Sequence, residues 1–168
     1  MYVIVVGGGK VGYYLSKHLL DRGYEVTLIE KDPRRAEVLN STLGEIVMVG
    51  DGDEMAFLAT TGMERADVVV AVTGDDEDNL VTCQLAKRKF NVPKTVARVN
   101  NPANVRIFKT LGVDVALSAT EVLLDLIESE LPTRRRPAAR RPRPRKKTAG
   151  SSPAVQFDLT LRYALPIL

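Results

Sequence analysis

With a single cysteine, Cys83, the chain closes no disulfide within itself and has neither the Cys-x-x-Cys pairs nor the His/Cys cluster from which a structural zinc site is built. This cysteine usage points to an intracellular compartment. No apolar stretch approaches the ~20 residues that cross a bilayer. The N-terminus enters its first apolar run without a basic leader or cleavage site, so the expectation is a soluble or at most peripheral protein. At 168 residues the chain has the length of one ordinary domain, enough for a sheet covered by helices on both faces and too short for a comparable second one.

Charge is unevenly spread. The net charge of +3 averages 14 Lys/Arg against 20 Asp/Glu in residues 1–132 with nine Lys/Arg and no acid in residues 133–147. The acidic part alternates short apolar runs with amphipathic stretches. Strands are predicted at 2–7, 25–30, 46–50, 68–73, 95–99 and 113–117, rich in Val and Ile and nearly continuous in apolar character, as strands covered on both faces are. Helices are predicted between and after them at 11–22, 33–43, 54–61, 76–90, 103–111 and 120–131, with Gly23, Gly44, Gly62 and Gly112 at four of their ends. Right-handed crossovers then give an α/β fold with a doubly wound, Rossmann-type parallel sheet of order 3-2-1-4-5-6, whose ligand crevice lies at the carboxyl ends of strands one and four.

The first strand runs into Gly7-Gly8-Gly9-Lys10-Val11-Gly12, a GxGxxG loop opening a helix. In that context Gly7 permits the turn, Gly9 lets backbone approach a pyrophosphate, and Gly12 allows close packing of the helix, whose N-terminus offers free N–H groups to phosphates. Lys10 and Val11 open this helix, and Lys10 has the reach to contact a terminal phosphate or the diphosphate of a dinucleotide. Glu30 ends the second strand, 18 positions after Gly12, where a carboxylate accepts both hydroxyls of an adenosine ribose. The same charge repels a 2′-phosphate, which favours NAD over NADP and leaves ATP and ADP open. Lys31, Arg34 and Arg35 read as a solvated first helical turn, with phosphate binding as their alternative.

The segments after the later strands supply the remaining candidates. Asp51 and Gly52, in Gly50-Asp51-Gly52-Asp53, suit close approach of an adenine, with Asp53 as a cap for the following helix. Thr73 and Gly74 stand beside the glycine loop, Thr73 placed to bond phosphate or ribose. The run Asp75 to Asp78 suits a helix N-terminus better than a metal site. Arg98 near the end of a buried strand needs an anionic partner, either a ligand phosphate or that acidic run. Catalytic groups are scarce: His18 is predicted mid-helix on or near the core face, and Cys83 as an inert core thiol.

Together GGGKVG, Glu30, VGDGDE at 49–54, AVTGDDEDNL at 71–80, ARVNNPANVRIFKTLGVD at 97–114 and ALSATEVLLDLI at 116–127 resemble the TrkA-N, or RCK/KTN, regulatory nucleotide-binding domain over residues 1 to about 131. The resemblance implies a non-enzymatic cytoplasmic regulator of potassium uptake, peripheral on the inner face of the cell membrane through a membrane-embedded potassium transporter or channel subunit. It implies a homo-oligomer, whether dimer, tetramer or ring. Exchange of NADH for NAD, or of ATP for ADP, would change subunit geometry and gate the pore. It carries nucleotide contacts onto the Gly7 to Gly12 loop, Glu30, Asp51, Thr73 with Gly74, and Arg98. A small NAD-dependent oxidoreductase, or its cofactor domain, is the alternative reading.

Two departures stand out. Ala119 replaces a proline common in the family near the start of the last helix, and the C-terminal lobe of many members gives way to TRRRPAARRPRPRKK at 133–147. The boundaries read as a nucleotide-binding domain at 1–132, a basic linker at 133–153 and a short apolar tail at 154–168. The linker suits anionic lipid better than nucleic acid, against a plain solvated tail or a truncation or reading-frame product. VQFDLTL at 155–161 has the alternation of an edge strand.

Overall fold

The computed structural model describes residues 1–131; the readings of residues 133–153 as a linker and of 154–168 as a tail with an edge strand lie outside the described residues. Six parallel strands, β1 (Tyr2–Val6), β2 (Glu25–Glu30), β3 (Val47–Val49), β4 (Val68–Ala71), β5 (Lys94–Arg98) and β6 (Val115–Leu117), pair in the order β3-β2-β1-β4-β5-β6. Helices α1 (Lys10–Asp21), α2 (Pro33–Leu43), α3 (Met55–Leu58), α4 (Asp76–Arg88), α5 (Val105–Thr110) and α6 (Ala119–Glu130) connect and follow them. This is the doubly wound order expected from alternating strand and helix patterns.

All five residues of β1 are buried, and their side chains alternate between the two faces. Val3 and Val5 pack with Val26, Leu28 and Leu39 under α1 and α2, whereas Tyr2, Ile4 and Val6 pack with Ile29, Leu58, Met63, Val69 and Phe90 under α3 and α4. A third cluster joins Ala71, Cys83, Ala97, Val99, Phe108 and Val113 between α4 and α5. Cys83 belongs here, wholly buried, with its thiol pushed up to about 12 by burial. It is the inert core thiol the sequence predicts.

Differences from the predicted elements sit at their ends. The predicted helix at 54–61 holds α-geometry only over Met55–Leu58, then tightens into a 3-10 turn at Ala59–Thr61. Thr60 and Thr61 donate back to the carbonyls of Phe57 and Leu58, each at 2.7 Å, which draws the turn in. Glu54 rather than Asp53 occupies the N-cap position of α3 and makes no side-chain cap, so Asp53 is not the cap the sequence suggested. His18 is also displaced from expectation: it faces solvent on α1, because Gly12 and Ser16 are the residues that helix turns to the sheet. The last helix, α6, has no buried residue.

Away from the crevice, Asp114 fastens the start of β5 to β6. It accepts from the Lys87 ammonium at 2.7 and 2.8 Å, from the Thr95 amide at 2.8 Å and from the Thr95 hydroxyl at 2.9 Å. Burial alone would raise this carboxyl, but the Lys87 and Thr95 bonds hold it below its ordinary 3.8. A folded-state pKa depressed in this way contributes stability above the unfolded value and loses it as pH falls through the folded one. The unfolding free energy is therefore expected to decline below pH 3.8. In urea titrations between neutral pH and about pH 2.5, Asp114→Asn should decline less steeply than wild type. Equal slopes would remove Asp114 from the acid response.

Candidate functional site

A crevice of about 510 Å³ opens at the carboxyl ends of the central strands. Ten of the eleven residues selected from sequence line it: Gly7, Gly9, Lys10, Val11, Glu30, Asp51, Gly52, Thr73, Gly74 and Arg98. Gly12 lies behind the wall. A Cβ at Gly12 would fall on the carbonyl oxygen of Gly7, so α1 runs against the loop as closely as backbone allows. Gly7 has φ +107 and its own Cβ would meet the Thr73 amide nitrogen at 2.9 Å, which brings the β1 and β4 loops into contact. A Cβ at Gly9 would meet nothing, so this backbone faces open space.

Glu30 is only 5% exposed, yet its carboxylate is well supplied. The Gly8 amide donates to Oε2 at 3.0 Å and the Asp32 amide to Oε1 at 2.9 Å. Arg35 stands 3.5 Å from Oε2. Each carboxylate oxygen retains acceptor capacity toward the crevice. Gly8 escaped the sequence reading although it is the middle glycine of three: a Cβ there would meet Leu39 Cδ1 at 2.5 Å and Glu30 Oε2 at 2.7 Å. Gly52 is similarly confined by Val6, and its carbonyl accepts from the buried Thr82 hydroxyl at 2.9 Å. Thr82 stands four positions after Asp78 on α4, and this helical spacing was the available signal.

Two of the three cations after β2 are not merely a solvated turn. Arg35 pairs with Glu30, and Lys31 stands 3.8 Å from Asp78 and 4.0 Å from Asp51. Only Arg34 remains outside the crevice lining. Desolvation first, then the Asp51 carboxylate and its hydrogen bond, then Asp78, push the Asp53 carboxyl above its ordinary range, with Lys31 opposing.

The acidic run divides its duties. Asp75 caps α4 by accepting from the Glu77 amide at 2.8 Å. Asp76 turns away to the loop after β5, Asp78 reaches Lys31, and Glu77 is exposed. Among the described residues no group of three or more His, Cys, Asp or Glu side chains converges as a metal site would. Thr73 lines the crevice, but its hydroxyl is engaged within its own loop, 2.8 Å from Asn79 Oδ1 and 3.0 Å from the Asp75 carbonyl. Arg98 forms no ion pair among the described residues, with the acidic run or any other group.

Strand order turns these residues into a sequence of charges. From β3 to β5 the crevice presents Asp51 and Asp53, then Glu30, then the glycine loop with Lys10 at the α1 N-terminus, then Thr73, Gly74, Asp75 and Asp78, then Arg98. Hydroxyl acceptors stand at one end, amide donors in the middle and, at the other, a guanidinium with no ion pair among the described residues. An elongated ligand with a ribose at one end and phosphate beyond it matches that order.

Residues 3–119 match the TrkA-N domain. The chain belongs to the TrkA-N domain family. It is 42% identical over 130 residues to the Trk system potassium uptake protein TrkA of Mycobacterium tuberculosis, covering 76% of this chain and 58% of that protein. It thus spans under two thirds of that relative's length. In fold it is similar to the TrkA-N domain of the inner membrane protein ybaL of Escherichia coli, with TM-score 0.71, 18% identity, and coverage of 78% of this chain and 96% of that one. It is also similar to the GsuK channel bound to NAD, with TM-score 0.65, 22% identity, and coverage of 76% and 22%. GsuK bound to ADP gives the same TM-score and identity, with coverage of 76% and 33%.

The TrkA-N glycine loop makes different demands at its two outer positions. Gly12→Ala must push α1 off the Gly7 carbonyl and is expected to lower the melting midpoint by several degrees, whereas Gly9→Ala projects into open space and should melt within about 2 °C of wild type. Circular-dichroism melting separates them. Equal midpoints would mean that α1 does not need its close seat on the loop.

Proposed function

We propose that this TrkA-N chain is the ligand-sensing part of a potassium-uptake regulator, binding NAD or NADH, or ATP or ADP, in the crevice. The observation that carries this reading is a seated acceptor, Glu30, facing across a glycine-lined gap an Arg98 that makes no ion pair among the described residues. Relatedness to a Trk potassium uptake protein supports the physiological setting, and the NAD- and ADP-bound forms of GsuK support the ligand class. The bound ligand would act by changing how copies of the chain are arranged, and through them a potassium transporter or channel subunit in the membrane. In that setting the chain would lie on the cytoplasmic face, attached through its partner. Among the described residues no helix is long and apolar enough to cross a membrane.

Hydride-transfer chemistry has less support. His18 lies on the outer face of α1, outside the crevice lining, and the thiol of Cys83 is buried with its pKa near 12. Neither offers a proton donor over a bound nicotinamide.

Calorimetric titration of nucleotide-stripped protein with NAD, NADH, ATP and ADP tests the reading. Saturable binding is expected for at least one of them, weakened roughly ten- to a hundredfold in Glu30→Ala, the range for loss of hydrogen bonds to a charged group. No binding to any of the four would overturn it.

The arrangement of copies rests on α6. Val122, Leu123, Leu124, Leu126 and Ile127 are each at least half exposed, beside Glu121, Asp125, Glu128 and Glu130 with no basic residue in the helix. Exposed Ile107 and Leu111 on or next to α5 are interspersed with Arg106 and Lys109, a complementary surface that α6 of a second copy can cover. Light scattering should give a dimer or larger assembly for wild type. A double substitution, Leu123→Glu with Ile127→Glu, should yield monomer with an unchanged circular-dichroism spectrum, because neither side chain is buried within its own chain. A monomeric wild type, or an unchanged assembly in the variant, would overturn this role for α6.

A further inference from the structure

We infer that Asn79 and Asp76, neither of which lines the crevice, are positioning residues for its phosphate-facing half, holding the loops that supply Gly74 and Arg98. The inference rests on the nucleotide reading above and adds the residues on which recognition of the phosphate end depends.

Asn79 is completely buried in the first turns of α4. Its carboxamide has two acceptor and two donor positions, and all four are used. Oδ1 accepts from the Thr73 amide at 2.9 Å and the Thr73 hydroxyl at 2.8 Å. Nδ2 donates to the Thr73 carbonyl at 3.3 Å and to the Arg98 carbonyl at 3.0 Å. One side chain thus ties the end of β4 to the end of β5. Thr73 in turn is the residue against which Gly7 packs, so the tie extends to the glycine loop.

Asp76 makes the companion tie from the same helix. Its Oδ1 accepts from the Asn100 amide at 2.6 Å and side chain at 3.0 Å, and its Oδ2 from the Asn101 amide at 3.1 Å and the Asn104 side chain at 2.8 Å. Four donors on one half-buried carboxylate fix the chain just beyond Arg98. Arg98 is therefore anchored by its own carbonyl and by Asn100 and Asn101, two and three positions on, while its guanidinium carries no ion pair among the described residues. A cation whose backbone is held and whose head is unpaired is preorganised for an anion.

Glu30 and Asp51 make no hydrogen bond to either residue, so the two ends of the crevice are separable by ligand. Adenosine engages the β2–β3 end alone, and ADP adds the diphosphate. In titrations of the full chain, Asn79→Ala is expected to weaken ADP at least tenfold and adenosine less than twofold, with circular dichroism reporting the fold. Arg98→Ala should show the same split, and the Asn79→Ala/Arg98→Ala double variant should lose less ADP affinity than the sum of the two single losses, since both act in part on Arg98. Asp76→Asn, which keeps shape but sets an NH₂ against amide donors, is read in the same series and carries the test if Asn79→Ala fails to fold.

Equal losses for adenosine and ADP, unaltered ADP binding, or additive losses in the double variant would overturn the inference while leaving nucleotide binding intact. Loss of folding in both Asn79→Ala and Asp76→Asn would place these side chains in the fold alone and also overturn it. A wild-type chain that binds neither ligand would overturn the nucleotide reading and this inference with it.

Discussion

The contact on which the rest of the site depends is between two pieces of backbone: the Gly7 carbonyl and the Cα of Gly12. Because no side chain separates them, α1 begins directly over the end of β1, and its first amides face the crevice. The turn at Gly7, with φ +107, is then pressed against Thr73, and this sets the spacing between β1 and β4 at the point where the sheet's connections reverse direction. A larger residue at either position would move the helix or the neighbouring loop, and with them the amides. The site is in this sense a consequence of packing before it is one of charge.

Charge is then laid over that frame by strand order. Acidic groups at the β2 and β3 ends stand apart from Arg98 at the β5 end, with the glycine loop and its Lys10, then Thr73, Gly74, Asp75 and Asp78, in the lining between them. The separation is maintained by engaging other ions elsewhere. Lys31 stands between Asp51 and Asp78, Arg35 against Glu30, and Asp76 is saturated by amide donors of the β5–α5 loop. Asp76 stays ionised because those bonds outweigh burial, which taken alone would raise its pKa. Of the cations that line the crevice, Lys10 on the glycine loop and Arg98 at the β5 end make no ion pair among the described residues.

Much of this was legible in the residues because it is local. Apolar runs and their spacing identify the strands, the glycine loop marks the first βα turn, and the distance from Gly12 to Glu30 is one helix and one strand. What was not legible depends on partners distant in sequence. Thr73 looks like a ligand residue until Asn79, six positions on, occupies its hydroxyl. Lys31 looks solvated until the fold brings Asp51 and Asp78 to it, and Arg35 until it stands against Glu30. Asn79 carries no sequence mark, since a buried carboxamide is recognised only by the four groups around it. His18 fails for the opposite reason: the apolar pattern of α1 suggests a broad inward face, but small Gly12 and Ser16 take the position nearest the sheet and turn His18 outward.

The same strand order offers a route by which, under the proposed function, a crevice event would reach α6. Arg98 is the register partner of Leu117 across β5 and β6, and the Val99 amide donates to the Leu117 carbonyl at 2.8 Å. Ser118 follows at once, buried, and caps α6 through the Glu121 amide. Arg98, which lines the crevice, is thus one ladder step from Leu117, beside the residue that caps the exposed helix. Sheets transmit such displacements stiffly because their interiors are close-packed. A helix of 12 residues is about 18 Å long, so a tilt of about 5° at its cap moves the far end by about 1.5 Å. If α6 packs on a second copy as proposed, that surface would tolerate shifts of that size poorly. Under the proposed function, coupling would need no large movement in the crevice, only one that Arg98 passes to its neighbour on β6.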